Sequence, residues 1–222
     1  MKTGLVLLGG PMSLSDYTPK WLELFLSLYD FQEVVAVDGG LKYAEKLGLE
    51  PTLILGDFDS ISSIDYYTHR WPLAKVVKFP SEKSMTDAEL AFEWMLDNDI
   101  ENVCVLGGFG GRVDHMLANV FLMEQFSQLD LMFFDPQNIV KRLKGPGKWL
   151  VEETPFNLKY MSLVPLMGQV SGVSLSGVKY PLDLAKVEFG QTLGISNEIT
   201  ADHAIVKIEE GTCLLIQSSD KK

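Results

Sequence analysis

The stretch TLILGDFDSIS (52–62) sets two carboxylates, Asp57 and Asp59, one residue apart at the end of an apolar run. Two negative charges placed there require a neutralising partner. Carboxylate oxygens are hard ligands, and Mg²⁺ takes one or two of them before completing its shell with water and substrate phosphates. In a turn that leaves a strand, alternate residues converge, so Asp57 and Asp59 on either side of Phe58 form a candidate metal pair. Asp87, at a predicted helix start, is a third candidate ligand. The competing structural reading is that Asp59 and Ser60 cap the following helix.

A second chemical stretch is GGFGGRVDH (107–115). Glycines let main-chain N–H groups approach phosphates closely, and Arg112 offers a planar fork matched to phosphate oxygens. The stretch is neither a P-loop nor G-x-G-x-x-G, because no GK[ST] follows and the glycine spacing differs. His115 opens a predicted helix and reads as a structural hydrogen bonder. His69 and His203 lack neighbouring clusters with metal-ligand spacing.

Both stretches follow apolar runs, and so do two others. LVLLGG ends in Gly9 and Gly10, and VVAVDGG ends in Asp38, Gly39 and Gly40. The runs at 4–8, 33–37, 52–55, 74–79, 102–106 and 131–134 read as strands, and those at 21–28, 41–47, 86–96 and 115–126 as helices. Such alternation predicts βαβ units on a mainly parallel sheet. Unbroken apolar strands such as LVLL and VCVL fit a sheet covered on both faces. Ligands of such sheets bind beyond the carboxyl ends of the strands, where these four decorations fall. Thr86 is a predicted N-cap, with Asp87 and Glu89 in the first turn where they complement the macrodipole.

After about residue 137 helical periodicity ceases. The basic stretch KRLKGPGK (141–148) reads as a joint, followed by short runs at turn-like spacing: WLVEE, LKYMSLVPL, VSGVSLSG, YPLDLAKVEF, HAIVKIEE and CLLIQ. The expected domains are therefore an α/β domain over 1–140 and an all-β, sandwich-like domain over 141–222.

With 30 acidic against 19 basic residues, the formal net charge of −11 repels a nucleic-acid backbone. An anionic substrate must then be held locally, by a metal ion, glycine backbone or a few placed cations. No apolar run reaches the length of about 18 residues that spans a bilayer, and MKTGLVLL lacks the pattern of a signal peptide. The expectation is a cytoplasmic protein, with no nucleic-acid or membrane partner. Cys104 and Cys213 lie in apolar surroundings and read as reduced, buried thiols.

The motifs resemble, in order along most of the chain, those of the thiamine pyrophosphokinases: VDGG (37–40), GDFDS (56–60), PSEKSMTDAELA (80–91), GGFGGRVDHMLAN (107–119) and YPLDLAKVEFGQTLGISNE (180–198). The resemblance implies an α/β nucleotide domain that uses ATP and Mg²⁺, a β domain contributing to thiamine binding, and a homodimer with sites between chains. Asp57, Asp59 and Asp87 would hold Mg²⁺ and the ATP phosphates. Asp38, Gly39, Gly108, Arg112 and Asp114 would line the ATP cleft, and Ser196 and Asn197 would face the thiamine pyrimidine. Tyr180 and Phe189 are candidate stacking rings, each equally readable as core. One departure stands out: the family's acidic residue ahead of the T-D pair, as in K-D-x-T-D, is replaced by Ser84 in Lys83-Ser84-Met85-Thr86-Asp87, leaving the number of ions open.

The implied reaction is in-line attack of the thiamine hydroxyl on the β-phosphorus of ATP with AMP leaving, Asp87 or Asp114 taking the proton. Two rivals remain at this stage. A D-x-D after an apolar run also fits haloacid-dehalogenase-like phosphatases, in which the first Asp is a nucleophile. A nucleotide-binding module without turnover would use the same acidic rim.

Overall fold

Leucine-rich and β-branched runs build a parallel sheet in the first part of the chain. The computed structural model describes residues 2–10, 18–59, 63–80 and 84–220, and the chain divides into two units, Met1–Asp135 and Pro136–Lys222. In the first unit the strands are β1 (Thr3–Leu7), β2 (Phe31–Val37), β3 (Leu53–Gly56), β4 (Lys75–Lys78), β5 (Asn102–Leu106) and β6 (Asp130–Asp135). The helices between them are α1 (Pro19–Leu28), α2 (Gly40–Leu47), α3 (Ile64–Arg70), α4 (Asp87–Asp97) and α5 (Val113–Gln125). Every pairing in this unit is parallel, in the order β6-β5-β1-β2-β3-β4. The chain thus moves outward from β1 to β4 and returns to place β5 on the other side of β1. That reversal creates a topological switch point between β1 and β5.

Local chemistry sets the helix starts. Thr18 Oγ1 accepts from the Trp21 N–H (3.2 Å) ahead of Pro19 at the first position of α1, and Thr86 Oγ1 accepts from the Glu89 N–H (3.2 Å) to open α4. Helix α3 was not anticipated. It buries only Tyr67, so it has no apolar stripe to read, and its cap is Ser63, whose Oγ accepts from the Tyr66 N–H at 3.4 Å. The core of the unit is aromatic and aliphatic, with Phe25, Phe92, Phe133, Phe134, Leu5 and Leu7 among its fully buried side chains. Each contributes roughly 1.5–3 kcal/mol by leaving water.

The second unit is antiparallel throughout. One sheet, ordered β12-β9-β14-β7, contains β7 (Asn138–Lys144), β9 (Tyr160–Pro165), β12 (Asn197–Glu198) and β14 (Thr212–Ser218). The other, ordered β11-β10-β13-β8, contains β8 (Gly147–Val151), β10 (Val170–Ser176), β11 (Leu182–Val187) and β13 (Ala204–Ile208). Leu143, Val151, Met161, Val173, Val206 and Leu215 belong to one buried cluster fed by both sheets. The stretch read as a joint is not one. Lys141 to Lys144 lie inside β7 and pair with β14 along their whole length, so this unit begins at Pro136 rather than 141. Both cysteines are free and buried. Among the described residues no helix is long and apolar enough to cross a membrane.

Candidate active site

The carboxyl ends of β2 and β3 carry two residues in left-handed backbone, Asp38 (φ +42°) and Phe58 (φ +65°). A bulky residue there is a true outlier and persists only where its surroundings over-determine it. Here Phe58 is buried and its N–H donates to Asp38 Oδ1 at 3.1 Å, locking the turn after β3 to the end of β2. Gly56 has φ +151°, and a Cβ at that position would collide with Asp38 Oδ1. The glycine of G-D-F-D therefore makes room for the neighbouring strand's carboxylate.

Asp38 is half-buried. Burial, a hydrogen-bond contact with Asp87 and the charge of Asp57 together push its carboxyl up to about 7, against the lowering effect of the Phe58 N–H. Asp87 stands at the first position of α4, so three elements deliver carboxylates to one place: β2, the turn after β3, and the start of α4. Asp59 behaves differently. Its side chain is exposed, while its N–H donates to Asp57 Oδ1 at 3.0 Å in an Asx-type turn. Asp59 thus lies beside Asp57 at the exposed side of the turn, while Asp38 and Asp87 flank Asp57 from β2 and the start of α4. Among the described residues no group of three or more acidic, histidine or cysteine side chains is placed to hold a metal ion by itself. Ser60 and Lys83 lie outside the described residues.

The switch point is lined by glycine. A Cβ on Gly10 would strike the Gly107 carbonyl, so only glycine lets the end of β1 approach the loop after β5. In that loop Gly107, Gly110 and Gly111 all adopt positive φ. Gly39 is the N-cap of α2 and supplies no side-chain cap. Arg112, the N-cap of α5, makes a fork to Asp114 through Nε to Oδ1 (3.1 Å) and Nη2 to Oδ2 (2.6 Å). The pair is solvent-exposed, at 73% and 63%. Its hydrogen bonds hold the Asp114 carboxyl down at about 2. Oδ1 also accepts from the His115 N–H at 3.0 Å, so Asp114, in the first turn of α5, bonds both Arg112 and the backbone of the next residue.

In the second unit Ser196 is exposed with φ +54°, and its N–H donates to Ser162 Oγ at 2.9 Å. Asn197 is 2% exposed. Its Oδ1 accepts from the N–H groups of Tyr180 (2.9 Å) and Glu198 (3.0 Å), and its Nδ2 donates to the Tyr180 carbonyl (2.7 Å). This carboxamide therefore fixes the backbone under Tyr180. Tyr180 and Phe189 are 58% and 68% exposed, which excludes the core reading of both rings. Leu193 and Ile195 are exposed beside them in sequence.

A doubly wound parallel sheet with carboxylates and glycine loops at its carboxyl edge, followed by a β-sandwich, defines a phosphate-handling α/β protein with an added β domain. Comparison with known families narrows this. Residues 27–134 match the thiamin pyrophosphokinase catalytic domain, and residues 150–213 match the thiamin pyrophosphokinase vitamin B1 binding domain. The chain belongs to the thiamine pyrophosphokinase family. It is 29% identical to the thiamine pyrophosphokinase of Bacillus subtilis (strain 168), over 99% of this chain and all (100%) of that one. With thiamin pyrophosphokinase 1 of Caenorhabditis elegans it shares 31% identity, over 71% of this chain and 66% of the relative. Among solved structures, the thiamin pyrophosphokinase of Geobacillus thermodenitrificans superposes with a TM-score of 0.81 at 30% identity, covering 100% of this chain and 99% of that one. The Bacillus subtilis enzyme gives 0.85 at 28%, covering 99% and 100%. Neither the dehalogenase-like reading nor the non-catalytic one is favoured by these matches.

Proposed function

We propose that the chain transfers the pyrophosphoryl group of ATP to the hydroxyl of thiamine, giving thiamine diphosphate and AMP, with the ATP phosphates held at the carboxyl ends of β1, β2, β3 and β5. The observation that carries this reading is the grouping of Asp38, Asp57 and Asp87. Burial first, and then the neighbouring carboxylates of Asp87 and Asp57, lift the Asp38 carboxyl to about 7. Such a donor set fits a hard divalent cation, and Mg²⁺ needs only one or two protein carboxylates when substrate phosphates complete its shell. Asp57 and Asp87, joined by Asp38 and by Asp59 at the exposed rim, are the residues that would hold it. When bound, Mg²⁺ neutralises polyphosphate charge and stabilises the charge that develops in transfer.

The chain's own groups then divide the work. Arg112 spends two of its five N–H donors on Asp114, and the other three remain for phosphate oxygens. Asp114 orients that fork. Held down at about 2 by Arg112, it is a weak base near neutral pH, and the loose transition state of phosphoryl transfer asks for no strong base at the thiamine hydroxyl. As the new bond to the β-phosphorus forms, the bond to the α-phosphate oxygen breaks and AMP leaves. Backbone N–H groups at Gly39 and Gly108 line the nucleotide side. Ser196 meets the thiamine pyrimidine, and Asn197 acts through the Tyr180 backbone it holds.

The same reading takes the protein as a cytoplasmic homodimer. Val113, Leu117 and Phe121, four residues apart on α5, are exposed and form an apolar stripe suited to burial in a subunit interface. Incubating the purified protein with ATP, Mg²⁺ and thiamine tests the activity: AMP and thiamine diphosphate are expected in equal amounts. Release of inorganic phosphate without AMP, or no turnover, overturns the reading.

A further inference from the structure

The first unit buries a single polar side chain among its described residues, Asn119 on α5, 9% exposed. An apolar residue would be less costly on this inward face unless the amide has a partner. It has one: Asn119 Nδ2 donates to the Gly108 carbonyl at 2.8 Å. Asn119 lies seven residues after Arg112, close to two turns of helix. Helical side chains tilt toward the N-terminus, so its amide reaches back beneath the loop that α5 follows.

The other side of the loop is walled. A Cβ on Gly108 would come 2.5 Å from Phe133 Cδ1, and the Phe109 ring packs on Phe133 with centroids 5.2 Å apart. The peptide between Gly108 and Phe109 is planar and trans, so its C=O and N–H point in opposite directions. With the carbonyl drawn in to Asn119, the Phe109 N–H must face away from α5.

We propose that Asn119 is a positioning residue for ATP binding: by holding the Gly108 carbonyl inward it fixes the orientation of the Gly108–Phe109 peptide, and with it the face of the glycine loop and the placement of Arg112. This rests on the nucleotide reading given above and goes beyond it, because Asn119 touches no substrate itself. An alternative in which the amide merely stabilises the fold makes different kinetic demands.

The test is Asn119→Leu, which keeps the volume and removes the donor, with Asn119→Ser as a second variant that leaves a small hydroxyl should the leucine not fold. KM for ATP, KM for thiamine, kcat and the melting temperature are measured for each, together with ATP binding by calorimetry in Mg²⁺ without thiamine. The expected result is a KM and a Kd for ATP raised about tenfold, a KM for thiamine changed less than twofold, and a protein still folded at the assay temperature. In an Arg112→Ala background the further loss of ATP affinity on Asn119→Leu shrinks below threefold, because both act through one loop. Unchanged ATP constants alongside a lowered melting temperature, or fully additive effects with Arg112→Ala, overturn the proposal. A wild-type protein that binds no ATP instead refutes the nucleotide reading on which it stands.

Discussion

Replacing Asp38 by Asn isolates the electrostatics of the site with almost no steric change. Asn tolerates the left-handed φ of +42°, and its Oδ1 still accepts from the Phe58 N–H now at 3.1 Å. What disappears is a charge that the folded protein resists, since its carboxyl rises from 3.8 to about 7. Three pK units at roughly 1.36 kcal/mol each give about 4 kcal/mol, and screening of a half-exposed group reduces this to about 2 kcal/mol. The sign follows from which state binds the proton. Between the unfolded value of 3.8 and the folded value of about 7, the folded state is protonated and the unfolded state is not. Stability of the wild type therefore falls as pH rises through that window and is level above it.

Asp38→Asn should then be more stable than wild type in metal-free buffer at pH 8 by about 2 kcal/mol, and by less than half as much at pH 5. For a unit of this size that is on the order of 6 °C in melting temperature. Urea or thermal unfolding at both pH values, after treatment with a chelator, measures the difference. Added Mg²⁺ should narrow it by relieving the repulsion in the wild type, while turnover by the variant collapses. A variant no more stable than wild type at pH 8, or a gain equal at the two pH values, would refute the assignment of Asp38 to a crowded acidic site.

Other substitutions probe the remaining parts. Asp57→Asn and Asp87→Asn should each lower kcat by at least about 100-fold and raise the Mg²⁺ concentration for half-maximal rate, with far-UV dichroism unchanged; near-normal kinetics at limiting Mg²⁺ would remove them from the metal set. Arg112→Lys keeps the charge but not the fork, and is expected to raise KM for ATP about tenfold, as measured by AMP formation. Asn197→Leu leaves the Tyr180 N–H and C=O without their partner, so urea unfolding should show a loss of about 2–3 kcal/mol; a loss under about 0.5 kcal/mol would show that the clamp is dispensable.

The strand ends were legible because they obey local rules, unbroken apolar runs followed by Gly and Asp, and the start of α4 was legible from its cap Thr86; the caps Thr18 and Ser63 emerge only in the fold. The grouping of carboxylates was legible only in part. Sequence spacing brought Asp57 and Asp59 together because they are neighbours in the chain, whereas the fold brings Asp57 to Asp38 because β2 and β3 are neighbours in the sheet. No pattern along the chain records that Phe58 takes a left-handed backbone, turns Asp59 toward solvent and bonds the preceding strand's carboxylate. Asn119 was hidden for a similar reason. On a helix with exposed Val113, Leu117 and Phe121, apolar periodicity does not mark the inward face, and a lone amide seven residues after Arg112 carries no sign of its burial. In both places the deciding signal is non-local. The motif residues are set by chemistry that can be read in order, and the groups that aim them are set by which strand ends the switch in sheet order makes adjacent.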